Sequence, residues 1–304
     1  MKIRILGSAA GGGFPQWNCN CFNCQGVRNN TIQATPRTQS SIAVSENGSD
    51  WVLINASPDI LTQLRANPDL QPARAIRDSG ITAVLLMDAQ IDHVTGLLML
   101  RERSTPLPLY ATEQVFGDLS TGLPITNVLS HYCSVARNTI QPDGKPFTIA
   151  PLEQTSFCPV TLLSKAPPYS PHRHDPHAGD NIGLKIINQT NGKSIFYAPG
   201  LGVLTPEVAE VMSSSDVLLV DGTLWTEDEM ITMGLSKKTS SEMGHLAQSG
   251  PGGMIEVLDK MPATRKILIH INNSNPILRD DSAQRAMLTK HGIEVAIDGM
   301  EIIL

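Results

Sequence analysis

The chain has 304 residues, 41% hydrophobic and only 17% charged, a balance that excludes disorder and can build a large apolar core. Its net charge of −6 argues against nucleic acid or an anionic membrane as the main partner. No apolar run approaches the roughly 18 residues that a span needs, so no membrane insertion is expected.

In chain order, Lys2 to Leu6 reads as a first strand running into the glycine turn Ser8–Gly13. The opening apolar stretch is too short for a secretory signal. With five cysteines, three of them clustered, the sequence points to a reducing, cytoplasmic setting. The turn lacks the Lys-Ser/Thr of a phosphate loop and is expected to bring backbone close to a pocket. Strands are expected at 40–45, 51–55, 83–87, 107–111, 160–163, 182–187, 194–198, 217–220, 266–271 and 294–297. Helices are expected over Ser57–Arg65, which opens Ser-Pro-Asp, and Thr205–Met212, which opens Thr-Pro-Glu. Two more are expected over 251–261 and 282–291, and an apolar helix is expected to start after Gly96. The stretch around Asp175 has no regular pattern and reads as a loop of the kind that lines sites. Strands first, then strand–helix alternation, in both halves, predict a four-layer αββα sandwich of the α/β class, expected as one domain over residues 1–304.

Cys19, Cys21 and Cys24 form C-x-C-x-x-C in a turn-rich segment. Such spacing lets three thiolates converge on one Zn²⁺ in a closed structural site, with a fourth ligand from elsewhere: His270, Asn273 or another histidine. Cys133 and Cys158 stand alone among apolar neighbours and read as small buried hydrophobes.

The buried-strand pattern Ala83–Met87 runs into Asp88-Ala-Gln90-Ile-Asp92-His93, which offers oxygen and nitrogen ligands at a strand end. Other polar strand ends are Asp221 in VDGT, His270 in ILIHINN and the run His172, His174, His177. Two histidines and a carboxylate with open positions suit Fe²⁺ and O₂. His93, His270 and Asp92 or Asp221 are the expected ligands, with Asp88 and Gln90 completing the set or orienting it. His131 and His291 carry no pattern. Arg101 and Arg103 are candidates for substrate carboxylates or for a solvated helix face.

These elements resemble the metallo-β-lactamase superfamily, near its ribonuclease Z and cyclic-phosphodiesterase branch. Met87–His93 resembles the H-x-H-x-D-H motif, with Asp88 and Gln90 replacing its first two histidines. SIFYAPGLG has Pro199-Gly200 where a metal-bridging aspartate is usual, and His270 stands at the final histidine ligand. By that resemblance, His245 in MGHL takes an acid/base or substrate role, and one of His172, His174 or His177 falls near a further ligand position. Within the superfamily, GFPQWNCNCFNC, DAQIDH, KAPPYS, DNIG, VDGTLWTEDEM and MGHLAQSGPGG resemble the pyrroloquinoline quinone (PQQ) biosynthesis protein B family along essentially the whole chain. The resemblance implies a part in making PQQ from a peptide-derived, cross-linked glutamate–tyrosine unit. The expected activity is iron-dependent hydroxylation of the tyrosine ring, with Asp92 and His245 in the chemistry. The alternative is a soluble carrier of PQQ or its precursor toward the periplasm. A hydrolase ranks last, because losing the H-x-H pair weakens a two-metal route to activated water. A homodimer is a further expectation.

Overall fold

The computed structural model describes residues 1–304. Its strands are Lys2–Gly7 (β1), Ser41–Ser45 (β2), Trp51–Ile54 (β3), Ile81–Leu85 (β4), Leu107–Ala111 (β5), Val135–Thr139 (β6), Phe147–Ile149 (β7), Leu152–Thr161 (β8), Ile182–Asn188 (β9), Ser194–Ala198 (β10), Val217–Asp221 (β11), Arg265–Ile269 (β12), Ile293–Val295 (β13) and Glu301–Ile303 (β14). They form two seven-stranded sheets, in the orders β14-β1-β2-β3-β4-β5-β6 and β13-β12-β11-β10-β9-β8-β7. Each sheet begins antiparallel and becomes parallel, from β3 in the first and from β10 in the second. This is the expected αββα sandwich.

Continuous apolar runs become central strands because both sheet faces are covered. Ile3, Ile5, Val52, Ile54, Leu184, Tyr197, Leu219 and Ile267 alternate into the layer between the sheets. The intervening Leu53, Val84 and Leu109 face helices on one outer side. Phe196, Leu218 and Leu268 face helices on the other.

Several boundaries differ from the sequence reading. β8 is ten residues long and begins well before residue 160, and β6, β7 and β14 were not expected. These are edge strands or strand ends with polar, exposed side chains such as Glu153 and Gln154, so they lack the apolar signal. The helix expected after Gly96 starts earlier, at Ile91–Val94, and continues as a 3₁₀ turn over Thr95–Leu100. The helix expected from Ser57 begins at Ile60.

That early helix is seated by close backbone packing. Ala56 N donates to the His93 carbonyl at 2.7 Å, and Gly96 N donates to the Ala56 carbonyl at 2.9 Å. A Cβ on Gly96 would press on the Ser57 carbonyl and stand 2.7 Å from that of Ala56. Gly96→Ala is therefore expected to cost about 2–3 kcal/mol, read as a lower urea midpoint at unchanged m-value. An unchanged midpoint would show that the contact relaxes freely.

Candidate metal centre

The parallel strands β4, β11 and β12 deliver polar groups at their carboxyl ends, where clefts form in α/β sheets. β4 leads to Asp88, Asp92 and His93, β11 ends at Asp221 with Thr223 just beyond, and β12 ends one residue before His270. His270 has φ of 60°, in the left-handed region, which turns its side chain out of the strand direction. The glycine turn after β1 closes one side: Ala10 N donates to the Ile271 carbonyl, and Gly11 lies against the Asp92 carboxylate. A cleft of about 300 Å³ results, lined among others by Asp88, Gln90, Asp92, His93, His245 and His270.

Ligand atoms of Asp92, His93 and His270 all lie within 4.8 Å of one another. Asp92 Oδ2 is 3.3 Å from His270 Nε2 and 3.8 Å from His93 Nε2. Burial opposes charge on Asp92, but the two imidazoles outweigh it and hold its carboxyl well below the usual range. His93 Nδ1 donates to both Asp88 oxygens at 2.8 and 2.9 Å. Burial disfavours charge on this ring too, yet Asp88 and Asp92 together raise it to about 9.

The hydrogen bonds assign the tautomers. Asp88 accepts from His93 Nδ1–H, leaving Nε2 buried and without a hydrogen-bond partner. Thr223 Oγ1 donates to Asp221 Oδ1 at 2.6 Å, so it accepts from His270 Nδ1 at 3.0 Å. His270 then turns its Nε2 toward the Asp92 carboxylate, at 3.3 Å, where a cation could lie between them. Two imidazole nitrogens and one carboxylate oxygen therefore fit a divalent metal, with each histidine held from behind.

The predicted residues separate into roles. Asp88, expected among the ligands, spends both oxygens on His93. Asp221 is fully buried and outside the cleft: Oδ1 accepts from Thr223, and Oδ2 accepts from His245 Nδ1 at 2.6 Å. Burial lowers the basicity of His245, but Asp221 outweighs it and raises this ring above its ordinary value. His245 stacks on His270 with ring centroids 5.3 Å apart. Gln90 lines the cleft, and its amide reaches only the Lys165 carbonyl, at 3.5 Å. His172, His174 and His177 do not line the cleft, so none takes the further ligand position the resemblance suggested. Arg101 pairs with Glu102 and Arg103 binds the Ile81 carbonyl, and neither lines the cleft. Thr223 was not foreseen, although the Asp-Gly-Thr run after a buried strand carried a signal: an Asx turn brings that hydroxyl back over Asp221.

The second cluster gathers Cys19, Cys21 and Cys24, whose sulfurs lie within 4.8 Å of one another. Cys19 and Cys24 are buried, and burial pushes the Cys24 thiol up to about 12. The Asn273 side-chain amide lies 3.1, 3.6 and 3.3 Å from the three sulfurs. Turned about its last bond, the same amide would present oxygen to an ion held there. Three sulfurs and one oxygen suit a closed four-ligand site. Asn23, between the cysteines, donates to the carbonyls of Asn273, Ser274 and Asn275 and fastens that loop to the cysteine helix, Phe22–Arg28. His270, the other candidate for the fourth place, belongs to the cleft instead.

Residues 50–271 match the beta-lactamase superfamily domain. The chain is 62% identical over 303 residues to coenzyme PQQ synthesis protein B of Cupriavidus necator, covering 100% of this chain and 99% of that one. It is 59% identical over 305 residues to that of Methylobacillus flagellatus, covering 100% of both. The crystal structure of Zn²⁺-bound PqqB from Methylobacterium extorquens matches with a TM-score of 0.91 and 38% identity over 100% of both chains. Likeness of this order runs from one end of the chain to the other, and the chain belongs to the coenzyme PQQ synthesis protein B family of the beta-lactamase superfamily.

Proposed function

We propose that the chain acts in PQQ synthesis as an iron-dependent oxygenase that hydroxylates the tyrosine ring of a Glu–Tyr-derived precursor. The observation that carries this reading is the set of Asp92, His93 and His270, a carboxylate and two imidazole nitrogens facing one point beside an open cleft. Fe²⁺ held there by these three side chains would supply the redox capacity to activate O₂. Asp88 fixes His93, and Thr223 fixes His270. His245 keeps its Nδ1 proton on Asp221, so its Nε2 is free to take a proton from the substrate phenol. The cysteine cluster with Asn273 is a structural zinc site on this reading. The Zn²⁺-bound relative supports metal binding in general.

The test is anaerobic loading with Fe²⁺, then addition of a Glu–Tyr dipeptide, ascorbate and O₂. Stoichiometric oxygen uptake with a hydroxylated ring is the expected result. No uptake, together with tight metal-independent binding of PQQ, would replace this reading with the soluble carrier.

Metal binding should also depend on pH in a defined direction. His93, raised to about 9, holds a proton on Nε2 at neutral pH when no metal is present, and a metal must displace it. Affinity at this site should rise close to tenfold per pH unit from about 7 to 9 and flatten above. Calorimetric titrations in two buffers of different ionisation enthalpy should show about one proton released at pH 7. A flat affinity with no proton release would remove His93 from the ligand set.

A further inference from the structure

Two permanent cations line the cleft, Arg173 and Lys238. Neither forms an ion pair, although the chain as a whole carries a net charge of −6. The carboxylates lining the same cleft are already committed, Asp88 to His93 and Asp92 to the two imidazoles. Arg173 is half-buried on the loop between β8 and β9, and one of its nitrogens donates to the Ala166 carbonyl. That bond anchors one side of the guanidinium and leaves its other donors unspent. Asn181 lies on the same loop, and its buried side-chain Nδ2 lacks a partner. Lys238 is exposed and comes from a different segment, which continues to His245. The two segments are tied together where Lys165 Nζ donates to the Glu242 carbonyl at 3.1 Å. Met230 and Met243 supply polarisable apolar contact for a flat ring within the same cleft.

We propose that Arg173 and Lys238 are the specificity-determining residues of the cleft, each holding one carboxylate of a dicarboxylate aromatic substrate. The inference rests on reading the cleft as the substrate site. A guanidinium binds a carboxylate with paired, charge-assisted hydrogen bonds, and an exposed ammonium acts as a screened point charge. Arg173 therefore carries the larger share of the selectivity.

The probe is N-acetyl-Glu–Tyr compared with its uncharged diamide, both titrated calorimetrically into the Zn²⁺-loaded protein. The wild-type chain should prefer the dicarboxylate by at least about tenfold. Arg173→Gln should weaken dicarboxylate binding by about ten- to a hundredfold and leave the diamide unchanged. Lys238→Gln should cost a smaller, salt-sensitive factor, and because its side chain is exposed this variant tests the idea free of folding effects. Arg101→Gln, away from the cleft, serves as the control and should change nothing. Equal binding of the two probes by the wild-type chain, or a preference that survives both substitutions, overturns the proposal. The outcome is separate from that of the oxygenase reading. Selectivity lost in the variants without any oxygen uptake by the wild type sinks only the oxygenase, while hydroxylation by Arg173→Gln at unchanged KM sinks only this assignment.

Discussion

His93→Ala should abolish ring hydroxylation by the iron-loaded protein, lowering turnover by at least about 10³-fold, since a bound metal contributes several kcal/mol and each ~1.4 kcal/mol is tenfold. The variant should also fail to retain an exchangeable metal while keeping the metal held by the cysteines. The reason lies in the geometry: His93 Nε2 is buried, has no hydrogen-bond partner and faces Asp92 and His270. Asp88→Asn probes the support behind it. It removes the carboxylate that fixes the His93 tautomer, and metal affinity should fall about 10–100-fold with the ligand itself still present. Metal content after dialysis, measured alongside oxygen uptake, separates the two effects. Full turnover in His93→Ala would discard the Asp92–His93–His270 centre as the working site.

Cys24→Ser should have the largest effect on stability. Cys24 is fully buried, and its thiol gains most from a cation that stabilises the thiolate. A site filled at about a thousand times its dissociation constant contributes ~4 kcal/mol to stability, which corresponds to a fall of on the order of 10 °C in Tm. Chelation of the wild-type protein should reproduce that fall, and zinc should restore the wild type but not the variant. If chelator leaves Tm unmoved, the cysteines hold no structural ion.

The layered architecture was legible because each central strand, such as Val217–Asp221, is buried on both faces and therefore reads as an unbroken apolar run. Edge strands such as Val135–Thr139 were not legible, since their side chains are mostly exposed and their pairing depends on a neighbour distant in sequence. The cysteine cluster announced itself through spacing alone. Its companion Asn273 lies 249 residues beyond Cys24, and only the fold brings them together. The division of labour among the acids was hidden for a related reason. Asp88, Asp92 and Asp221 are equally plausible ligands in a linear reading, and which of them faces the cleft depends on which imidazole stands behind each. Thr223, Arg173 and Lys238 lack a linear signature strong enough to single them out.

His270 and Asn273 leave the end of β12 on one short run of backbone, and Asn23 clamps that run to the cysteine helix. An ion bound at either end would therefore act on the position of the same few residues. Filling one site should then raise the affinity of the other, with an equal gain in both directions by linkage. On the proposed reading, stripping the ion from the thiolate site would weaken metal binding at Asp92, His93 and His270 as well.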